Sequence, residues 1–182
     1  MTEALKGVNP RFLPGFVPPI YRELAPEEYG ALQAHLLRLG LRSRSMRFGY
    51  PASDGTIERY CTNQTGRKPV ICGAFIGGEL RGVADMRFIS EKWPFSAELA
   101  LSVEDDWQDI GIGTELMARA LRAARRHHIA VVELNFLPEN IRMRRIAEKH
   151  GAIFSHQTGL MKGVFEPLGP GYALSAGSTR QQ

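Results

Sequence analysis

Residues 98–128 read ELALSVEDDWQDIGIGTELMARALRAARRHH, and this stretch decides the architecture. It begins as a strand, with Ala97, Leu99, Leu101 and Val103 alternating against Glu98, Ala100 and Ser102. It ends as a helix over 114–127, where Leu116, Met117, Ala120, Leu121 and Ala124 recur at helical spacing. Between them lies Gln108-Asp109-Ile110-Gly111-Ile112-Gly113. A strand that runs through a glycine-rich turn into a helix gathers free backbone N–H groups and the positive end of the helix dipole at one point, which suits a pyrophosphate. Gly111 and Gly113 let the backbone approach the phosphates, and Thr114 adds a hydroxyl. A plain strand-to-helix turn fits the same string taken alone. A dinucleotide fold does not, because Thr114, Glu115 and Leu116 follow where G-x-G-x-x-G needs a third glycine, and no acidic residue ends the next strand. GxxxxGK[ST], HExxH and GxSxG are absent from the chain.

Working outward, 129–136 is a largely apolar strand, and 140–150 is a helix ended by Gly151. Residues 153–156 and 160–165 pair as a terminal hairpin. Upstream, 70–76 and 83–89 form a hairpin about the Gly77-Gly78 turn. Residues 20–24 form a short strand, and Pro26 opens a helix with the stripe Tyr29, Leu32, Leu36 and Leu39, closed by Gly40. In 41–66 only a short helix is expected, capped at Ser53 or Asp54 and running to Tyr60; the segment is expected to border the acceptor site. The order is β-α-α-β-β-β-α-β-α-β-β, an α/β (α+β) arrangement with a mixed, mainly antiparallel sheet flanked by helices on both faces. Residues 1–19 are expected to be an extended arm, 20–166 one domain, and 167–182 a flexible tail rich in Gly, Ser and Pro.

The 182 residues suit a single core, and 43% hydrophobic with 23% charged residues is an ordinary globular balance. Cys61 and Cys72 form no CxxC pair, and the first residues lack a signal-peptide layout, so a cytoplasmic location is expected. No apolar run approaches the roughly 20 residues that span a bilayer, and no membrane partner is expected. The net charge of +4 favours anions. Arg119, Arg122, Arg125 and Arg126 read as a solvated helix face without interleaved aromatics, so nucleic acid is not the expected partner. No histidines stand at metal-ligand spacing, and no metal is expected. Trp93 and Trp107 read as packing residues.

Gln108–Gly113, between the strand 98–103 and the helix 114–127, resembles the acetyl-CoA signature of the GNAT N-acetyltransferases. Asn140-x-x-Met143 followed by Glu148-Lys149-His150-Gly151-Ala152 resembles that family's second cofactor motif. The likeness spans residues 20–165 in element order and 98–152 in residue detail. Arg47-Phe48 and Ala97-Glu98-Leu99-Ala100 look like the Pat-type protein lysine acetyltransferases. The resemblance implies that acetyl-CoA is bound by the backbone of Leu101, Ser102 and Val103 along the pantetheine arm and by Gln108, Asp109, Ile110, Gly111, Ile112, Gly113 and Thr114 at the pyrophosphate. Asn140 and Met143 come from the second motif, with Asn140 meeting the pantetheine chain, and Arg144 or Arg145 meets the adenosine phosphate. Asn140 also reads as a helix N-cap, and the arginines as a solvated face.

An acceptor amine such as lysine, with a reference pKa of about 10.4, must lose a proton before it attacks a thioester. Alternation sets Glu98 beside the small Ala100 and Ser102, where a partly buried carboxylate with a raised pKa would serve as base. A structural glutamate fits that position equally well. Relatives place a tyrosine acid in the last helix where this chain has Ala147, which leaves Ser155, His156, water or no acid at all for the thiolate. Asp109 is a second departure, since a small or basic residue is commoner beside the phosphates. Two classes remain: an acetyl-CoA-dependent N-acetyltransferase acting on a protein lysine or a small-molecule amine, or an acetyl-CoA or CoA sensor with little turnover. A homodimer through the sheet edge or the terminal strands is compatible with the pattern.

Overall fold

The computed structural model describes residues 17–62, 66–90 and 92–169. Seven strands form one sheet in the order β1-β2-β3-β4-β5-β7-β6. They are β1 (Ile20–Glu23), β2 (Val70–Ile76), β3 (Glu79–Phe88), β4 (Phe95–Val103), β5 (Ile129–Phe136), β6 (Ile153–Gln157) and β7 (Leu160–Phe165). The helices are α1 (Tyr29–Arg38), α2 (Leu41–Phe48), α3 (Asp54–Thr62), α4 (Ile112–Arg126) and α5 (Ile141–Lys149). Every strand pair is antiparallel except β4 with β5. The mixed sheet with helices on both faces is as expected. The expected arm and tail lie, over 1–16 and 170–182, outside the described residues.

Alternation along the strands splits the core in two. Ala97, Leu99, Leu101 and Val103 of β4 pack with Leu116, Met117, Ala120 and Ala124 of α4 and with Met143 and Ala147 of α5. On the opposite face Leu32 and Leu36 of α1 and Ile57 of α3 pack on Ile71, Phe75 and Val83. Burial of one such Leu or Ile contributes about 1.5–3 kcal/mol. Gly82 lets the start of α4 lie on β3, since a Cβ there would meet Leu116 Cδ1 at 3.0 Å and Ile112 Cγ2 at 3.1 Å.

Helix α2 had no sequence counterpart. None of its residues is buried, so it carries no apolar stripe to read. It is held instead by hydrogen bonds from outside. Asp105 accepts from Gly40 N at 2.9 Å and from the Ser43 hydroxyl at the start of α2. Arg44 donates to the Leu37 and Leu39 carbonyls at the end of α1 and to Asp54 of α3. Gly49 in a left-handed conformation ends the helix.

Candidate active site: a cofactor cleft and an acceptor cavity

The parallel pairing of β4 with β5 ends at Glu98 opposite Glu133. Beyond that point β5 pairs with β7 on its other side, while Leu99–Val103 have no β5 partner. The two strands therefore part, and a cleft of about 820 Å³ opens along the free edge of β4. Leu101, Ser102 and Val103 line it, with Gln108, Asp109, Gly111, Gly113 and Thr114 from the glycine loop and Asn140, Met143 and Arg145 from α5. A second cavity, of about 270 Å³, adjoins it where Met46 and Arg47 line both.

The loop reaches α4 through Asp109 and Gly111, whose φ values of 59° and 87° are left-handed. Gly111 is the N-cap of α4, and no side chain caps the helix. The first N–H groups of α4 therefore face the cleft unsatisfied by the protein, as an anion site requires. The other helix end in the cleft differs: Asn140 Oδ1 accepts from Met143 N at 3.1 Å and closes the start of α5. Asn140 Nδ2 makes no hydrogen bond among the described residues, so the cap keeps a donor to spare. Gln108 is committed on both ends, donating to Val103 O at 2.9 Å and accepting from Arg142 at 2.8 Å. Arg142 also pairs with the exposed Asp109 at 2.6 Å, which offsets that carboxylate beside the amides.

Several expectations need correction. Ile110 and Ile112 are buried in the α4 core, so any part they play in the loop is through the backbone. Arg144 does not line the cleft: the helical turn carries it to the outer face, where it pairs with Glu148 at 2.9 Å. Arg145 lines the cleft instead, as does Arg42 of α2 across from it. Ser155 and His156 sit exposed on β6 and line neither cavity. Ala147 is fully buried.

Glu98 is exposed rather than partly buried, because its face of β4 opens on the smaller cavity; its carboxylate accepts from Asn135 Nδ2 at 3.0 Å. It lines the smaller cavity with Ala100, but the space near Ser102 is taken by His35.

Two buried clusters on this face were missed. In the first, His35 Nδ1 lies 3.2 Å from Glu104 and His35 Nε2 2.9 Å from Ser102 Oγ. Burial holds the His35 pKa below its usual value despite Glu104, so the imidazole is neutral, donates to the carboxylate and accepts from Ser102. Burial works to raise the Glu104 pKa, but hydrogen bonds from His35, Arg38 and Arg81 outweigh it and bring it down to about 2. In the second cluster Tyr60 donates to Asp85 at 2.6 Å and accepts from Arg47 at 2.7 Å and Arg87 at 3.0 Å. The signal was present: Asp85 and Arg87 are two apart in an apolar strand and so share a face.

A family model described as the acetyltransferase (GNAT) family matches residues 38–152. Among solved structures, the GNAT domain of S. lividans PAT superposes with a TM-score of 0.69 at 22% identity, covering 81% of this chain and 90% of that one. Ribosomal-protein-alanine N-acetyltransferase from Brucella melitensis gives 0.61 at 16% identity, covering 81% and 99%. PaiA N-acetyltransferase from Thermoplasma acidophilum, solved in complex with coenzyme A, gives 0.59 at 18% identity, covering 81% and 98%.

Proposed function

The chain belongs to the GNAT acetyltransferase family, and on that premise we propose that it moves the acetyl group of acetyl-CoA to a primary amine by direct attack on the thioester. One observation carries the reading: the uncapped start of α4 opens onto a cleft that runs along Leu101–Val103 on the free edge of β4 and adjoins the smaller cavity lined by Glu98. The amides of Gly111–Thr114 hold the pyrophosphate, and the backbone of Leu101–Val103 pairs with the pantetheine arm. Asn140 Nδ2 donates to that arm, and Arg42 and Arg145 offer charge to the phosphates. Acetyl-CoA supplies the acetyl group on a thiol whose pKa, about 8.5 when free, makes a fair leaving group.

Glu98 takes the proton of the acceptor ammonium, directly or through one water, and frees the nitrogen lone pair. The C–N bond then forms at the carbonyl carbon, the C–S bond breaks with its electron pair on sulfur, and the second nitrogen proton passes through water to the departing thiolate, leaving the neutral amide and the free thiol. Calorimetric titration with acetyl-CoA tests the binding half, with Thr114→Trp as the blocking variant. Thr114 lies in the first turn of α4 and lines the cleft, so bulk there covers the amides without the strain that the left-handed φ of Gly111 would impose on any side chain. Wild type binds and the variant does not; a wild type that ignores acetyl-CoA ends the reading. Glu98→Gln lowers amine-dependent thiol release about 100-fold or more, and a variant at the wild-type rate removes Glu98 from the role of base.

A further inference from the structure

On the β3–β4 ladder Arg87 stands directly opposite Glu98. Opposite charges in that position ordinarily meet across the strands. Here each is turned aside: Arg87 Nε donates to Tyr60 and to Asp85 at 3.2 Å, while Glu98 accepts from Asn135. No ion pair joins Arg87 to Glu98 among the described residues. Both line the 270 Å³ cavity, which thus has a positive and a negative wall.

The positive wall is unbalanced. Arg47, with 6% of its side chain exposed, and Arg87, with 26%, share the single fully buried carboxylate of Asp85. Tyr60 is saturated, since its hydroxyl donates once and accepts twice. Arg47 Nε and Arg87 Nη2 are buried without a partner, as is Asp85 Oδ1. Two guanidinium groups on one carboxylate leave an excess of positive charge beside the cavity, which an anion bound there offsets.

We infer that the acceptor is a small amino carboxylate, its anionic group held by Arg47 and Arg87 and its amine presented to Glu98; this rests on the acetyl-transfer reading above. Arg47, Arg87 and Glu98 line one cavity, so a single molecule that carries both an anionic group and an amine can meet both walls. The cavity lies below the roughly 300–1,000 Å³ of sites for drug-sized ligands, which favours a molecule of that size over a peptide. A lysine side chain or polyamine brings only positive charge to the two arginines. The transfer itself is unchanged: the ammonium gives one proton to Glu98, the amine nitrogen bonds the acetyl carbon, and the thiolate departs with its electron pair and takes up the second nitrogen proton through water.

The test uses the full chain at saturating acetyl-CoA and reads thiol release. The acceptors are the common free amino acids, their carboxamides, the matching decarboxylated amines, an end-blocked lysine peptide and a polyamine. At least one amino acid is acetylated with kcat/KM about 100-fold above its carboxamide, as expected when one buried charged partner is removed. Arg87→Gln closes most of that gap, raising KM for the acid by far more than it alters the reaction of the carboxamide. Arg87→Lys, which keeps the charge, restores part of it and controls for folding. Equal use of acid and carboxamide overturns the inference, as does acetylation of the peptide or polyamine alone. A protein that binds acetyl-CoA yet acetylates no amino acid overturns it too. Failure to bind acetyl-CoA in the calorimeter instead removes the acetyl-transfer reading on which it stands.

Discussion

The His35–Glu104 cluster and the Arg47–Asp85–Arg87 cluster lie on the same face of the sheet, a few residues apart on β3 and β4, yet only the first is closed. Glu104 accepts from His35, from Arg38 at 2.9 Å and from Arg81 at 2.8 Å, and Arg81 also pairs with Glu79. Two carboxylates thus face two guanidinium groups, and Arg81 Nε is the one buried side-chain polar atom left over. The cluster ties α1 to β3 and β4 and touches no acceptor. The second cluster has two guanidinium groups for one carboxylate, three unpartnered buried atoms and a cavity beside it. A charge-balanced network holds the fold together. An unbalanced one keeps binding capacity that the protein itself does not use.

The largest effect that separates them is at Asp85. Asp85→Asn strands the charge of Arg47 in the interior and costs about 3 kcal/mol, the low end for a broken buried pair because Arg87 reaches solvent. Urea unfolding at pH 7 measures it, and a loss under about 1 kcal/mol means that the arginines are already compensated and the contrast is false.

Glu104→Gln comes next, with about 2 kcal/mol lost at pH 7, reduced from the full buried-pair figure because Arg38 is a third exposed. Here kcat/KM of the folded protein stays within about twofold, since the closed cluster scaffolds only. The pH dependence follows from its depressed pKa. The stabilisation is complete above the unfolded value near 4.5 and is lost as pH falls through about 2. The variant lacks that acid-side slope. A fall in kcat/KM as large as that of an acceptor-site variant erases the distinction between the clusters.

His35 adds a smaller slope at higher pH. Its folded-state pKa lies below 6.5, so under that pH the unfolded chain binds a proton that the folded chain does not, and stability falls as the solution is acidified. His35→Gln flattens the stability curve between neutral pH and the Glu104 region. Chemical denaturation at a series of pH values reads both slopes, and an unchanged curve places the imidazole charge outside the network.

The parts of this arrangement legible in the sequence are those that depend on near neighbours. The apolar phase of α4, the glycines before it and the Asn140 cap are all set within a few residues. What escaped depends on distant partners. Helix α2 is held because Asp105, more than 60 residues away, accepts from Gly40 and Ser43 at its start, while its own Arg44 donates to the end of α1. Glu98 is exposed because its face of β4 opens on a cavity walled by Arg47, Tyr60 and Asn135 from three distant elements. Arg145 rather than Arg144 faces the cleft because of the exact phase of α5, which alternate readings of four arginine-rich positions do not fix. Alternation puts Asp85 and Arg87 on one face of β3, but Tyr60, which joins them, lies 25 residues before Asp85 on another element.

Ser102→Ala gives the smallest effect and the sharpest test of closure. Ser102, His35 and Glu104 have the order of a nucleophile, a base and an acidic partner, with Ser102 lining the cofactor cleft. If the serine attacked the thioester, its loss would cut turnover by orders of magnitude. His35, however, is completely buried, and burial opposes the imidazolium that it would have to become on taking the serine proton. The hydroxyl then serves only to satisfy His35 Nε2, and its removal costs about 1 kcal/mol of stability while turnover falls by no more than about threefold. Thermal unfolding and thiol release on the same sample measure both. A stable but inactive Ser102→Ala moves the chemistry into the closed cluster and makes the open one its neighbour.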